Sequence, residues 1–260
     1  MKRTTSSALR FLALLVLCAL ALQVSFAVRI ALMAVVDPQS TSFQRSEVWR
    51  LLVERHEVRW SQRWVDGTQI SPNLKRAVIA SEDAGFAEHS GVEWDALEKA
   101  WERNQKAEAR VAKINERLEK QAVKSPATAE ARKPLREPKV IGGSTITQQL
   151  AKNLFLAGER NLPRKAQEFI ITFMLEAMLN KQRILEIYLN SVEWGEGVFG
   201  AEAAARHYFH TAAAQLSPTS AARLAVMLPA PKRFEKRPDS PYVVSRSATV
   251  VARMGAVEVP

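Results

Sequence analysis

The sequence predicts a mainly α-helical protein, one N-terminal transmembrane helix followed by a helical domain, and three observations carry that reading. From Phe11 to Val28 the chain is apolar except for Gln23 and Ser25; with Leu9 and Arg10 this approaches the ~20 residues that span a bilayer. Beyond it, apolar residues recur at helical spacing in successive segments, several of them opened by Ser, Thr or Pro. No long alternating pattern of a strand follows the apolar helix. With 47% hydrophobic residues in a chain of 260, the composition supports a real core rather than disorder.

Lys2, Arg3 and Arg10 precede the apolar run. By the positive-inside rule the N-terminus stays cytoplasmic and everything after Arg29 lies across the membrane. A cleaved signal peptide competes, because Ser25-Phe26-Ala27 loosely matches a small-x-small cleavage site. Apolar character resumes at Ile30 to Val36, which favours an uncleaved anchor. Leu17 before Cys18 argues against a lipoprotein. The expected division is residues 1–36 as cytoplasmic N-terminus and anchor, and 37–260 as one extracytoplasmic domain carrying a charged insertion at about 100–138. Cys18 is the single cysteine, so no intrachain disulfide can form. His56, His89, His207 and His210 show no two-His spacing backed by a carboxylate, so no zinc site is expected. The net charge of +10 calls for a polyanionic partner: nucleic acid, anionic lipid headgroups or a phosphorylated substrate.

Asp37 to Gly67 is polar with Trp49, Trp60 and Trp64, and leads from membrane to fold; most of these tryptophans are expected in the core. Ser71 then caps a helix from Pro72, with Leu74, Ala77 and Val78 on one apolar stripe. Glu82 falls four residues beyond Val78, on the buried side and near the helix C-terminus, where burial and the dipole both raise a carboxyl pKa toward the range of a general base. The bland alternative makes Glu82 and Asp83 solvated charges at a helix end. Val92 to Trp101 reads as helix, after which the character changes. Between Lys99 and Lys139 twelve Lys or Arg stand against six Asp or Glu. Val111, Ile114 and Leu118 keep helical spacing, whereas Pro126, Pro134 and Pro138 mark linker, so this insertion is read as part amphipathic helix, part flexible.

In Ile141 to Leu156 the glycines allow close approach of a ligand, Ser144 or Thr145 can cap, and the Thr145 to Gln148 spacing matches a capping box. Thr145, Gln148, Gln149 and Lys152 form one polar stripe, suited to hydroxyls, amides and one anion; Ile146, Leu150 and Leu154 form the packing face. Pro163 opens the next helix, apolar nearly all round from Phe169 to Leu179 and therefore expected to run through the core. Glu168 can pair with Arg164 one turn earlier. Lys152, Arg160, Arg164 and Lys165 together offer the positive charge that a diphosphate leaving group needs. Aromatic residues able to stack bases are not interleaved with them, which argues against nucleic acid. Lys181 to Asn190 turns Ile184, Leu185, Tyr188 and Leu189 inward; Gly195, Gly197 and Gly200 form a turn; Ser217-Pro218 starts a helix that ends at Leu228-Pro229.

Five segments in this order resemble the family 51 glycosyltransferases, the peptidoglycan polymerases. They are Glu82-Asp83-x-x-Phe86-x-x-His89-x-Gly91, Gly142-Gly143-Ser144-Thr145-Ile146-Thr147-Gln148-Gln149-Leu150-x-Lys152-Asn153, Arg164-Lys165-x-x-Glu168, Ile184-Leu185-Glu186-x-Tyr188-Leu189-Asn190 and Gly200-Ala201-x-x-Ala204-x-x-x-Tyr208-Phe209. The match runs from about Asn73 to Pro229 and is nearest the monofunctional biosynthetic form. No Ser-x-x-Lys or Lys-Thr-Gly element of a transpeptidase is found. The charged insertion is longer than that family region usually is.

The resemblance implies a lysozyme-like helical fold in the bacterial inner membrane, with its catalytic domain periplasmic. It implies polymerisation of lipid II into β-1,4-linked glycan by an inverting single displacement that releases undecaprenyl diphosphate. Glu82 would be the base, and Glu168 would assist at the diphosphate directly or by holding a divalent cation, Mg²⁺ or Mn²⁺. Lys152, Arg160, Arg164 and Lys165 would bind the diphosphate. Gln148, Gln149, Ser144 and Thr145 would hold the sugar or shape the cleft, and Asp83, Phe86, His89 and Gly91 would support Glu82. Lipid II, the growing lipid-linked chain, the membrane and proteins of cell-wall synthesis or division are the implied partners; no organic cofactor and no nucleic acid are expected. A membrane-tethered lysozyme-like hydrolase and a non-catalytic binding protein are the competing readings.

Overall fold

The computed structural model describes residues 2–124, 143–156 and 161–260. It divides into two compact units, Glu93–Ser144 and the remainder. In the larger unit, α1 (Lys2–Leu32) contains a stretch, Ser7–Leu32, long and apolar enough to cross a membrane. Its far end is tied down where Arg183 donates to the Met33 carbonyl and pairs with Asp37 at 2.7 Å. The following helix, α2 (Ser42–Arg55), opens with a capping box between Thr41 and Gln44.

This second helix corrects the expectation for the tryptophans. It buries Gln44 and Glu47 beside Leu51, while Trp49 is 66% exposed; Trp60, 41% exposed, rests against the Phe199 ring at 5.3 Å, and Trp64 packs partly buried on the core. Burial of polar groups is tolerable here because each is satisfied. Gln44 Nε2 donates to the Ser191 carbonyl at 3.0 Å, and Glu47 accepts from Arg50 and Lys232.

After β1 (Ser61–Gln62), Ser71 accepts from the Asn73 amide and starts α3 (Pro72–Glu82), whose Leu74, Ala77 and Val78 are fully buried as expected. In the smaller unit, α4 (Trp94–Lys124) is one unbroken helix, where the change in composition after Trp101 suggested a boundary. Strong helix formers fill Glu102 to Lys124 with no Pro or Gly among them, so nothing stops the helix. The Pro126, Pro134 and Pro138 segment lies outside the described residues. Back in the larger unit come α5 (Ile146–Phe155), α6 (Leu162–Met178) and α7 (Lys181–Ser191), with α5 packed against both α6 and α7.

The helix α6 does not run through the core. Ile171, Thr172 and Leu175 are buried, but Ile170 and Phe173 are 42% and 48% exposed, and Met178 is also exposed. Part of its apolar circumference is therefore open, and the apolar helix α1 packs alongside it.

Beyond it, β2 (Glu193–Gly195) and β3 (Val198–Phe199) form a bulged antiparallel pair, with β1 parallel to β3 on the far side. The glycine turn read from the sequence is present as the Glu196-Gly197 turn of this hairpin, within a small three-stranded sheet that was not expected. Gly200, at φ +81°, leads out of it; a Cβ there would meet the Asn190 carbonyl oxygen at 2.6 Å. Then follow α8 (Ala201–Phe209), α9 (Pro218–Met227, capped by Ser217), α10 (Pro231–Phe234) and α11 (Pro241–Arg253). The core is centred on α9 packed between α3 and α11 and on the fully buried Tyr188, Trp194, Phe86 and Phe199.

Glu193 on β2 is buried, with Lys232 Nζ at 3.7 Å and Glu47, Glu235 and Arg50 nearby. Burial pushes its carboxyl up to about 8 from an ordinary 4.5. The folded state therefore keeps a proton that the unfolded chain releases, so stability falls as pH rises between those two values. Glu193→Gln should raise the melting temperature above about pH 8 by several degrees, and much less near pH 5; an equal shift at both would contradict the assignment.

Candidate active site

Glu82 is the last residue of α3 and half-buried. Gln149 Nε2 donates to its Oε2 at 3.0 Å, and the Tyr188 hydroxyl donates to Gln149 Oε1 at 2.9 Å. Tyr188 is fully buried, and burial, followed by the nearby charges of Glu82 and Asp83, holds its phenol well above the usual value. It stays a donor, which turns the Gln149 amide so that its NH₂ faces Glu82. Burial raises the Glu82 pKa, the hydrogen bond from Gln149 opposes this, and the charge of Asp83 adds to it. The net direction is upward, as the sequence led us to expect.

Asp83 does something different. Its Oδ2 accepts from the Ile146 amide at 2.9 Å, the first N–H of α5, and its Oδ1 lies 2.8 Å from His89 Nε2. The Gly91 amide donates to His89 Nδ1 at 3.1 Å, so the imidazole carries its proton on Nε2 and donates it to Asp83. Thr145 Oγ1 in turn donates to the Gly91 carbonyl at 2.6 Å. Gly91 has φ +86°, and a Cβ there would meet Thr172 and Glu176 at under 3 Å. Only glycine closes this loop against α6. Phe86 is buried beneath it.

The predicted stripe on α5 separates into two roles. Thr145 and Gln148 form the capping box and are almost fully buried, so Gln148 shapes the wall while its Nε2 has no partner among the described residues. Gln149 reaches Glu82, and Lys152 is exposed one turn further on. Ser144 precedes the cap residue. On α6, Glu168 is buried and accepts from Arg164 at 3.2 Å and from Lys165, whose ammonium also lies over the Phe169 ring. Arg164 Nε is buried without a partner among the described residues. Gly142 and Arg160 lie outside the described residues.

Among the described residues, no three His, Cys, Asp or Glu side chains come together as a metal site. Glu168 could give a divalent ion one carboxylate, leaving the remaining ligands to substrate phosphate and water, as Mg²⁺ commonly takes them.

Two positioning residues were missed in the sequence. Glu176 accepts from Thr147 at 2.6 Å and from Lys181 at 2.8 Å, and Lys181 Nζ also donates to the His89 carbonyl at 2.6 Å and lies over the Phe86 ring. They join α5, α6, α7 and the loop that carries His89. The available signal was a single Glu inside an apolar helix, which requires a cation nearby.

Known proteins resemble this chain over most of its length. The transglycosylase family profile matches residues 50–124 and 116–255. The chain is 49% identical to the biosynthetic peptidoglycan transglycosylase of Paraburkholderia xenovorans (strain LB400), covering 93% of this chain and 88% of that one. It is 46% identical to the protein of the same name from Herminiimonas arsenicoxydans, over 94% of each. The relative from Bordetella pertussis is 48% identical over 86% of this chain and 82% of its own. The helical domain seen here is the lysozyme-like fold of that profile, and the chain belongs to the transglycosylase family.

Proposed function

We propose that this chain is a membrane-anchored peptidoglycan glycosyltransferase that polymerises lipid II. The growing lipid-linked glycan is the donor, the 4-hydroxyl of the incoming lipid II sugar is the acceptor, and undecaprenyl diphosphate leaves. The observation that carries this reading is the pair of unlike carboxylates linked through α5. Glu82 has a raised pKa and one oriented donor, whereas Glu168 is held by two cations. Unlike environments assign unlike roles.

Glu82, deprotonated, takes the proton of the acceptor hydroxyl as that oxygen attacks the donor anomeric carbon. The bond from carbon to the diphosphate oxygen breaks in the same step, which inverts an α-linked phosphate to a β-1,4 bond. Negative charge grows on the leaving diphosphate, and Lys152, Arg164 and Lys165, with Arg160, answer it. Glu168 keeps Arg164 and Lys165 gathered before substrate arrives. A divalent cation shared between Glu168 and the diphosphate would neutralise further charge. A hydrolase of uncharged glycosidic bonds has no use for such a cationic set, which argues against the alternative. The apolar α1 and the basic N-terminal residues favour a bacterial inner-membrane location with a cytoplasmic N-terminus and a periplasmic domain.

Purified protein given lipid II should build glycan strands, and Glu82→Gln should lower turnover by about 10²–10⁴ with the fold intact. Full activity of that variant would remove Glu82 from the role of base. Turnover of the wild type should fall on the acid side through a pKa above 4.5, and Asp83→Asn should move this limb to lower pH by removing the neighbouring charge. An unmoved limb would mean that Asp83 does not tune the base. Lys152→Ala should lose far more turnover than Lys106→Ala in the insertion; equal losses would reduce the cations to membrane attraction.

A further inference from the structure

Gln23 is one of two polar residues in an otherwise apolar run. It lies six residues before Arg29, the first charge beyond that run, hence about 9 Å inside the apolar segment. An amide facing hydrocarbon at that depth is costly unless its hydrogen bonds are made within the protein. Here they are. Gln23 Nε2 donates to Gln167 Oε1 at 2.8 Å, and Gln167 Nε2 donates back to Gln23 Oε1 at 3.0 Å, closing a two-bond ring between α1 and α6. Gln167 immediately precedes Glu168 and shares a helical turn with Arg164 and Lys165.

The ring is part of a seam. Gln23, Phe26, Ile30 and Met33 fall at alternating three- and four-residue spacing on one face of α1. Phe26 meets the Phe155 ring edge-on at 5.2 Å, Arg29 lies over the same ring, and Ile30 is fully buried. Phe155 ends α5, three residues beyond Lys152. The membrane helix thus docks on the two elements that carry the cations. A mere tether needs no such seam and no polar residue within the bilayer.

We propose that Gln23 and Gln167 are a positioning pair: a clasp at membrane depth that sets the height of α6, and with it Glu168, Arg164 and Lys165, against the bilayer plane in which a lipid-linked diphosphate arrives. This rests on the lipid-linked substrate proposed above. Neither glutamine touches substrate. Their effect is geometric, because a diphosphate anchored in lipid has a fixed depth and a cation set displaced from that depth loses alignment with it.

The test is a double-mutant cycle with Gln23→Leu, Gln167→Leu and the pair of changes together, with Gln167→Met as a near-isosteric second variant. Turnover of lipid II is measured in phospholipid vesicles and in detergent micelles. In vesicles each single change should lower kcat about three- to tenfold with little change in KM, and the double variant should lose no more than the worse single, since both break one interaction. In micelles, where no plane fixes the depth of substrate, the losses should shrink to within about twofold. Wild-type turnover in every variant, losses that multiply, or equal losses in both media would overturn the proposal. If the wild type fails on lipid II, the substrate assignment falls instead. The cycle is then read from melting temperatures in nanodiscs, where uncoupled shifts would overturn the pair.

Discussion

The contact on which the site depends is the Asp83 carboxylate between the first amide of α5 and the His89 ring. A helix N-terminus presents unpaired N–H groups and a positive end of its dipole, and a carboxylate answers both. In doing so Asp83 fastens the end of α3, where Glu82 sits, to the start of α5, where Gln149 sits. The capping box then spends Thr145 and Gln148 on the same helix start, and Thr145 reaches on to the Gly91 carbonyl. One helix terminus therefore organises both the loop after Glu82 and the wall opposite it.

Much of this was legible because capping, helical period and turn chemistry are local. The Ser71-Pro72 start, the Thr145 to Gln148 box, the inward stripe of α7 and the Ser217-Pro218 start all appear where the residues put them. The place of Glu82 four residues beyond Val78 also showed it on the partly buried side of the helix, whereas a supporting role for Asp83 came only from the family resemblance. What was not legible depended on partners distant in sequence. Buried Gln44 and Glu47 on α2 look like a wet face until Ser191 and Lys232 are known to meet them. The apolar circumference of α6 signalled burial, although part of it is open on a helix flanked by α1. On α4 the helical spacing of Val111, Ile114 and Leu118 was legible, but not that the helix runs on from Trp94 without a break; charged residues with high helix propensity continue a helix as well as apolar ones do.

The charge of the chain is likewise unevenly meaningful. The largest excess of cations lies between Lys99 and Lys139, far along the sequence from the carboxylates. The few proposed above to act on the substrate include Arg164 and Lys165, which share Glu168 as partner. A carboxylate between two cations offsets their mutual repulsion. The net positive charge left over is what an incoming anion meets.

The relay from Tyr188 through Gln149 to Glu82 has a consequence for where a captured proton can go. An amide transmits orientation but not protons: its NH₂ has no lone pair to receive one, and Tyr188, kept protonated by burial, has no vacancy to fill. Seen from Glu82, that side of the protein is an insulator. In the reaction proposed above, the proton taken by Glu82 would have to leave away from Gln149 and Tyr188, so the direction from which an acceptor hydroxyl enters would also be the direction by which its proton departs.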